Sequence, residues 1–340
     1  MTVAAITVGA SAPVRLDLAG AWTDVAPFAE RERGLVINAA IELRTAAEVR
    51  VPHTRFELAS DDLGERIEVD RVSDLVFDGC LDLHKAAVRR SGVPPCALRT
   101  RAEAPAGSGL GSSGALGVAL VAALDATRCA APPQSPCMAP EVIAETAWSL
   151  ETQDAGIAGG KQDQYAAAIG GFQRLEFDQG RVRSVAIDLD PAFASELAGH
   201  TVLCYTGRSR FSGETIARVM RAYRAGDRDV TAALHAMVDI ADQMGEALCA
   251  GDIGCVGELL GRNWREQLRL DACMCTPEMA RLELAMTAAG AIGGKAAGAG
   301  TGGSMFFVVP GAVSPAITAA RECGATILPV RWAMEGVRRC

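Results

Sequence analysis

The chain has 340 residues, 49% apolar and 22% charged, with a formal net charge of −8; it is long enough for one large or two ordinary domains, each with its own core. The composition is that of a globular protein, and an acidic balance without a basic stripe argues against nucleic acid as the main partner. No apolar run of about 18 residues is evident, so no membrane span is expected, and the first residues lack the basic stretch of a signal peptide.

In chain order, alternation predicts strands over 3–10 and 14–19, and the Val, Ile and Thr content of 35–53 predicts one or two more. A hairpin is expected over 54–70, a helix over 74–91 and a strand over 96–103. A glycine loop then runs into an apolar helix from Ala115 through Leu124, with Ser112 and Ser113 as N-cap residues. Prolines mark 130–140 as a surface loop. A helix over 141–154 is ended by Gly156, Gly159 and Gly160, a helical run covers 164–168, and strands return over 171–189. A boundary is expected near 190–199. The second half opens with a strand at 201–205 and continues with helices over 213–225, 229–250, 252–269 and 277–290. A glycine-rich loop, 293–303, leads into a strand at 304–310, a helix at 314–322 and a strand at 325–333. Mixed strands and helices in both halves read as α+β, with domains 1–195 and 196–340.

Eleven cysteines show no framework spacing, and Cys273 with Cys275 is the one close pair. They read as small buried hydrophobes or reduced thiols of a cytoplasmic protein. The four histidines, His53, His84, His200 and His235, have no metal-ligand spacing.

Four segments carry chemistry. In the stretch 105–116, PAGSGLGSSGAL, Gly107, Gly109 and Gly111 permit tight bends close to a ligand. The helix start behind them offers free N–H groups and a positive dipole end, which is a phosphate site. The string 109–114 also fits GxGxxG, but the acidic residue expected about 20 positions on is missing, and no Walker A loop is present. Glu151 and Asp163 flank a glycine turn that can bring two carboxylates together, one for Mg²⁺ and one to accept a hydroxyl proton. Solvated surface carboxylates are the plainer alternative. The loop 293–303 can cradle phosphates or pack on the first loop. In the segment 12–24, Arg15 on an apolar strand needs a partner, either Asp17 or a ligand phosphate. Thr23 and Asp24 suit sugar hydroxyls, although an ordinary turn explains them equally.

Taken together, the segments 13–24, 105–115 and 295–303, in this order, resemble the three motifs of the galactokinase, homoserine kinase, mevalonate kinase and phosphomevalonate kinase (GHMP) superfamily. Within it, 160–168 with Gly170, Gly171 and Phe172, the strand end 205–210 and the closing 330–337 are similar to bacterial D-glycero-D-manno-heptose 7-phosphate kinases. The first motif, with Gly20, Ala21 and Trp22 before Thr23 and Asp24, resembles the fucokinase version instead. The resemblance implies a two-domain α+β fold with the active site in the interdomain cleft, and ATP-dependent phosphorylation of the anomeric hydroxyl of a sugar or sugar phosphate. It implies that Pro105, Gly107, Ser108, Gly109, Leu110, Gly111, Ser112 and Ser113 hold ATP, and that Ser112 and Glu151 ligate Mg²⁺. Asp163 would act as base or orienting acceptor, and Arg15 would stabilise charge near the γ-phosphate. Asp24 and Thr23 would hold sugar hydroxyls, Gly300 and Gly302 would line the site, and Lys161 and Arg210 would grip a sugar phosphate. The expected partner is a small-molecule sugar; nucleic acid and membrane are not expected, and a homodimer is left open. A related decarboxylase, a non-catalytic nucleotide sensor and a dinucleotide oxidoreductase are the rival classes.

Overall fold

The computed structural model describes residues 5–130, 136–207 and 212–340. The first half contains β1 (Ile6–Ala19), α1 (Phe28–Arg31), β2 (Gly34–Val51), β3 (Phe56–Ser60), β4 (Glu65–Val69), α2 (Asp82–Ser91) and β5 (Ala97–Ala102). It continues with α3 (Ser112–Ala130), α4 (Pro140–Ser149), a π-helical turn at Leu150–Asp154, α5 (Gln162–Ile169), β6 (Phe172–Asp178) and β7 (Arg181–Ala186). Then follow α6 (Pro191–His200), β8 (Thr201–Tyr205), α7 (Ser212–Arg224), α8 (Arg228–Ala250), α9 (Ile253–Leu270) and α10 (Pro277–Ala288). The chain closes with β9 (Gly293–Ala296), β10 (Ser304–Val308), α11 (Val313–Glu322), β11 (Thr326–Leu328) and β12 (Arg338–Arg339).

Two sheets organise the protein, giving the α+β architecture expected. The larger runs β12-β1-β2-β5-β3-β4, with β6 also on β2 and β7 on β6. The long β2 serves two neighbours: its first half pairs with β6 and its second with β5. Its first half is buried throughout because α3 and α5 pack on it as well as α8, whereas its second half alternates buried and more exposed residues. The smaller sheet is antiparallel, in the order β11-β8-β10-β9, with α9 against β9 and β10.

Helix α3 is apolar on nearly every face and is correspondingly buried, against β1 and β2 on one side and α2, α4 and α5 on the other. By length and composition alone this 19-residue helix could cross a membrane, which corrects the expectation that no such run occurs; 72% of its most apolar window is buried inside the protein.

Other expectations shift. The two strands over 3–10 and 14–19 are one, β1, with irregularities at Pro13/Val14 and Asp17/Ala19. The expected boundary at 190–199 is helix α6, started by Asp190, whose carboxylate accepts the N–H groups of Ala192 and Phe193, followed by Pro191. The first residues of the loop 293–303 pair with β10 as strand β9. The last expected strand shortens to β11, and the tail returns to the large sheet, where Trp332 bridges Ile41 and β12 pairs with β1. Cys129 and Cys137 are disulfide-bonded rather than reduced; residues 131–135, part of the expected surface loop, lie outside the described ones.

Candidate active site

A cleft of about 600 Å³ opens where β1, the loop after β5, the start of α5 and the loop between β9 and β10 converge. The apolar strand β1 delivers Arg15, 5% exposed. Its Nε donates to Asp163 Oδ1 at 2.8 Å, and its Nη1 donates to the carbonyls of Gly109 at 3.0 Å and Ala297 at 2.8 Å. Asp163 is therefore its partner and Asp17 is not. Asp17 is fully buried and pairs with Lys295, also fully buried.

The first loop bends as its glycines require. Gly107, Gly109 and Gly111 all have positive φ, and a Cβ on Gly111 would stand 3.0 Å from Asp163 Cγ. The first backbone bond into α3 runs from Ala115 N to Gly111 O. The N–H groups of Ser112, Ser113 and Gly114 meet no acceptor among the described residues. Gly107, Ser108, Gly109, Gly111, Ser112 and Ser113 line the cleft. Pro105 and Leu110 do not: the Pro105 carbonyl closes a turn by accepting Ser108 N, and the Leu110 side chain is in the core while its carbonyl accepts Arg15 N. Both support the loop, with their side chains outside the cleft.

Asp163 stands in the first turn of α5, held close to α3 because Gly114 has no side chain; a Cβ there would lie 2.5 Å from that of Asp163. Glu151, in the π-helical turn, lies behind the cleft wall. Its two oxygens accept Ser113 Oγ and Gln164 Nε2, each at 2.6 Å. Burial pushes its carboxyl up to about 7; the hydrogen bonds from Ser113 and Gln164 oppose the shift, and the charge of Asp163 adds to it.

Asp24 is 6% exposed and lines the cleft, accepting Gln162 N at 3.2 Å. Burial raises it to about 6, with Asp163 and Asp17 adding to the rise. A Cβ at Gly160 would fall 1.8 Å from its Oδ2, so only glycine leaves room for it. Thr23 is fully buried, its hydroxyl donating to the carbonyls of Gly20 and Leu35 and accepting Leu35 N. It fixes the turn after β1 and is not available to a sugar. Lys161 also departs from expectation: its Nζ is 2.9 Å from both Glu145 oxygens and 4.4 Å from the centre of the Trp148 ring, away from the cleft. Arg210 lies outside the described residues.

The two glycine loops pack on each other as well as lining one space. Ser304 N donates to Ser108 O, and a Cβ on Gly298 would meet Gly109 O at 2.5 Å. Gly300 and Gly302 line the cleft. Sequence reasoning missed Gln162, which lines the cleft with its Oε1 buried and unpartnered among the described residues, and Gln164, which holds Glu151. It also missed the Asp17–Lys295 pair. The available signal was strand period: Arg15 and Asp17, two apart, share a face of β1.

Unpaired amides, a helix N-terminus and Arg15 form an anion site, with a carboxylate beside it that can accept a proton. Ser112, on the cleft, and Glu151, behind its wall, are hard oxygen donors of the kind Mg²⁺ takes, and each Glu151 oxygen accepts one hydrogen bond from a neighbour and keeps a lone pair.

The family model for the GHMP kinase N-terminal domain matches residues 78–171, and that for the C-terminal domain matches 244–326. A D-glycero-alpha-D-manno-heptose 7-phosphate kinase of Campylobacter jejuni is 33% identical over 311 residues, covering 89% of each chain. A crystal structure of a D-glycero-D-manno-heptose 1-phosphate kinase from Bacteroides thetaiotaomicron superposes with a TM-score of 0.79 at 26% identity, covering 98% of each chain. The bifunctional fucokinase/GDP-fucose pyrophosphorylase of Arabidopsis thaliana is 27% identical over 86% of this chain and 29% of its own length.

Proposed function

The chain belongs to the GHMP kinase family, and we propose that it is an ATP-dependent sugar kinase that phosphorylates the anomeric hydroxyl of a heptose 7-phosphate. The observation that carries the reading is the placement of Arg15, bonded at once to Asp163 and to both glycine loops. Phosphoryl transfer needs positioning and charge neutralisation more than covalent chemistry. The free amides at Ser112 and Ser113 and the first loop would bind the nucleotide phosphates. Ser112 and Glu151 would hold Mg²⁺, which when bound neutralises phosphate charge. Asp163 would accept the proton of the attacking hydroxyl, Arg15 would meet the charge developing on the transferred group, and Asp24 would hold sugar hydroxyls. An ATP-consuming enzyme of this kind fits the cytoplasm.

A second reading has its own support. Lys161, expected to grip a sugar phosphate, is engaged by Glu145, and Trp22 of the fucokinase-like motif lines the cleft. Both favour an unphosphorylated sugar such as fucose. A coupled assay of ATP consumption with heptose 7-phosphate, fucose, mannose, galactose and arabinose tests both. Highest kcat/KM on heptose 7-phosphate is expected, highest kcat/KM on fucose installs the second reading, and no turnover on any sugar removes both.

A further inference from the structure

Arg15 touches the loop after β9 from a strand that shares no backbone ladder with β9. Strand β1 belongs to the large sheet and pairs with β2 and β12, while β9 belongs to the small sheet and pairs with β10. Between β1 and β9 the polar links come from side chains. Lys295 Nζ donates to the carboxylate of Asp17 and, at 2.9 Å, to the Asp17 carbonyl. Two residues back along β1, Arg15 Nη1 donates to Ala297 O, one residue past the end of β9. These two rungs fix the height of β9, and of the loop it carries, against Arg15. The far side of that loop is also tied, since Gln267 in α9 donates to Gly298 O at 2.9 Å.

Both partners of the lower rung are 0% exposed, and burial draws the Lys295 ammonium below its ordinary range against the pull of Asp17. Asp17 Oδ1 has no partner among the described residues. A buried ion pair with an unsatisfied oxygen is a poor way to gain stability, since apolar residues of the same volume often do as well or better. What the pair provides is direction: an ammonium at the end of a long stem contacts two oxygens of one residue and thereby sets the register between two sheets.

We propose that Asp17 and Lys295 are positioning residues that hold Arg15 in line with Asp163 and the β9–β10 loop, and so act on the transfer step without touching substrate. The proposal rests on the kinase reading for its kinetic arm. Replacing both partners by apolar residues, D17L/K295M, removes the rung without stranding a charge. The expected result is thermal stability near wild type, KM values for ATP and sugar within about threefold, and kcat lowered about 10–100-fold, the scale on which small misplacements act. In parallel, the Nε–H resonance of Arg15, identified by its loss in R15K, reports the bond to Asp163 without any substrate; it should broaden or exchange faster in the variant. Wild-type kcat, or an unchanged Arg15 resonance, overturns the proposal. If wild type turns over no sugar, the kinase reading falls and the resonance alone decides the rung. Should the double variant fail to fold, D17N keeps the shape and is read the same way: faster exchange of the Arg15 Nε–H with kcat reduced supports the rung, and wild-type values of both overturn it.

Discussion

Asp163 receives Arg15 at 2.8 Å and faces the same cleft as Ser112, which makes it the side chain on which turnover should depend most. Asp163→Ala is expected to lower kcat by about 10²–10⁴-fold, the usual yield of a general acid–base group, with circular dichroism unchanged. Asp163→Asn keeps the shape and should lose nearly as much. Retention of wild-type kcat in either variant would exclude Asp163 from proton transfer. Asp24 gives a pH-dependent test. It takes up its proton at about pH 6 in the folded protein, above its ordinary value of 3.8. Its contribution to stability is therefore fully present below about pH 4 and is lost as the pH rises through 6, a loss on the order of 3 kcal/mol. On the proposed role of Asp24 as the ionised acceptor of sugar hydroxyls, kcat/KM for the sugar should rise through pH 6 and level off above 7. Asp24→Asn should be more stable than wild type at pH 8 and lose that rise together with most of its kcat/KM. Equal stability at pH 8 would show that burial does not strain Asp24.

The loops and helices around these side chains were readable to different depths. The glycine loop followed by a buried helix could be read from glycine spacing and an apolar run, because both signals are local. The pairing of Arg15 with Asp163 spans 148 positions, and no local pattern encodes it. Lys161 misled for the same reason: it sits beside Asp163 in sequence, yet Glu145 and the Trp148 ring on α4 draw it away. Glycine placement now explains what spacing could not. Gly160 has a Cβ position 1.8 Å from Asp24 Oδ2, and Gly298 has one 2.5 Å from Gly109 O, neither with a positive φ. A methyl group at either site therefore acts by displacement and not by backbone strain. Gly160→Ala should raise KM for the sugar about tenfold or more, on the scale at which small shifts of a binding group are felt, and leave KM for ATP near wild type. Gly298→Ala should do the reverse, because it parts the two loops. Steady-state kinetics with each substrate varied in turn checks the pair, and parallel effects on both KM values would contradict the division of the cleft into a sugar side and a nucleotide side.

Across the whole chain, α+β class and most elements followed from periodicity, but the assembly of the sheets did not. The tail illustrates why. Residues Arg338 and Arg339 pair with β1, more than 300 positions away, and Trp332 meets Phe172 with ring centres 4.8 Å apart. Such closure depends on a whole sheet already being present to receive it. The cleft is likewise a product of assembly, since β1, α3, α5 and the β9–β10 loop each give only one wall of it. A ligand filling it should therefore stabilise the whole protein rather than one part. A nucleotide at 100 times its Kd adds about 2.7 kcal/mol, which in a chain of this size corresponds to a rise in Tm of a few degrees. A non-hydrolysable ATP analogue with Mg²⁺ should raise Tm by that order, and EDTA should abolish most of the rise if Ser112 and Glu151 hold the ion that screens the phosphates. In the Ser112→Ala/Glu151→Gln variant, the analogue should give the same small shift with and without EDTA. A shift in wild type that EDTA leaves untouched would mean that Arg15 and the loop amides suffice for the nucleotide, and that these two residues are not metal ligands.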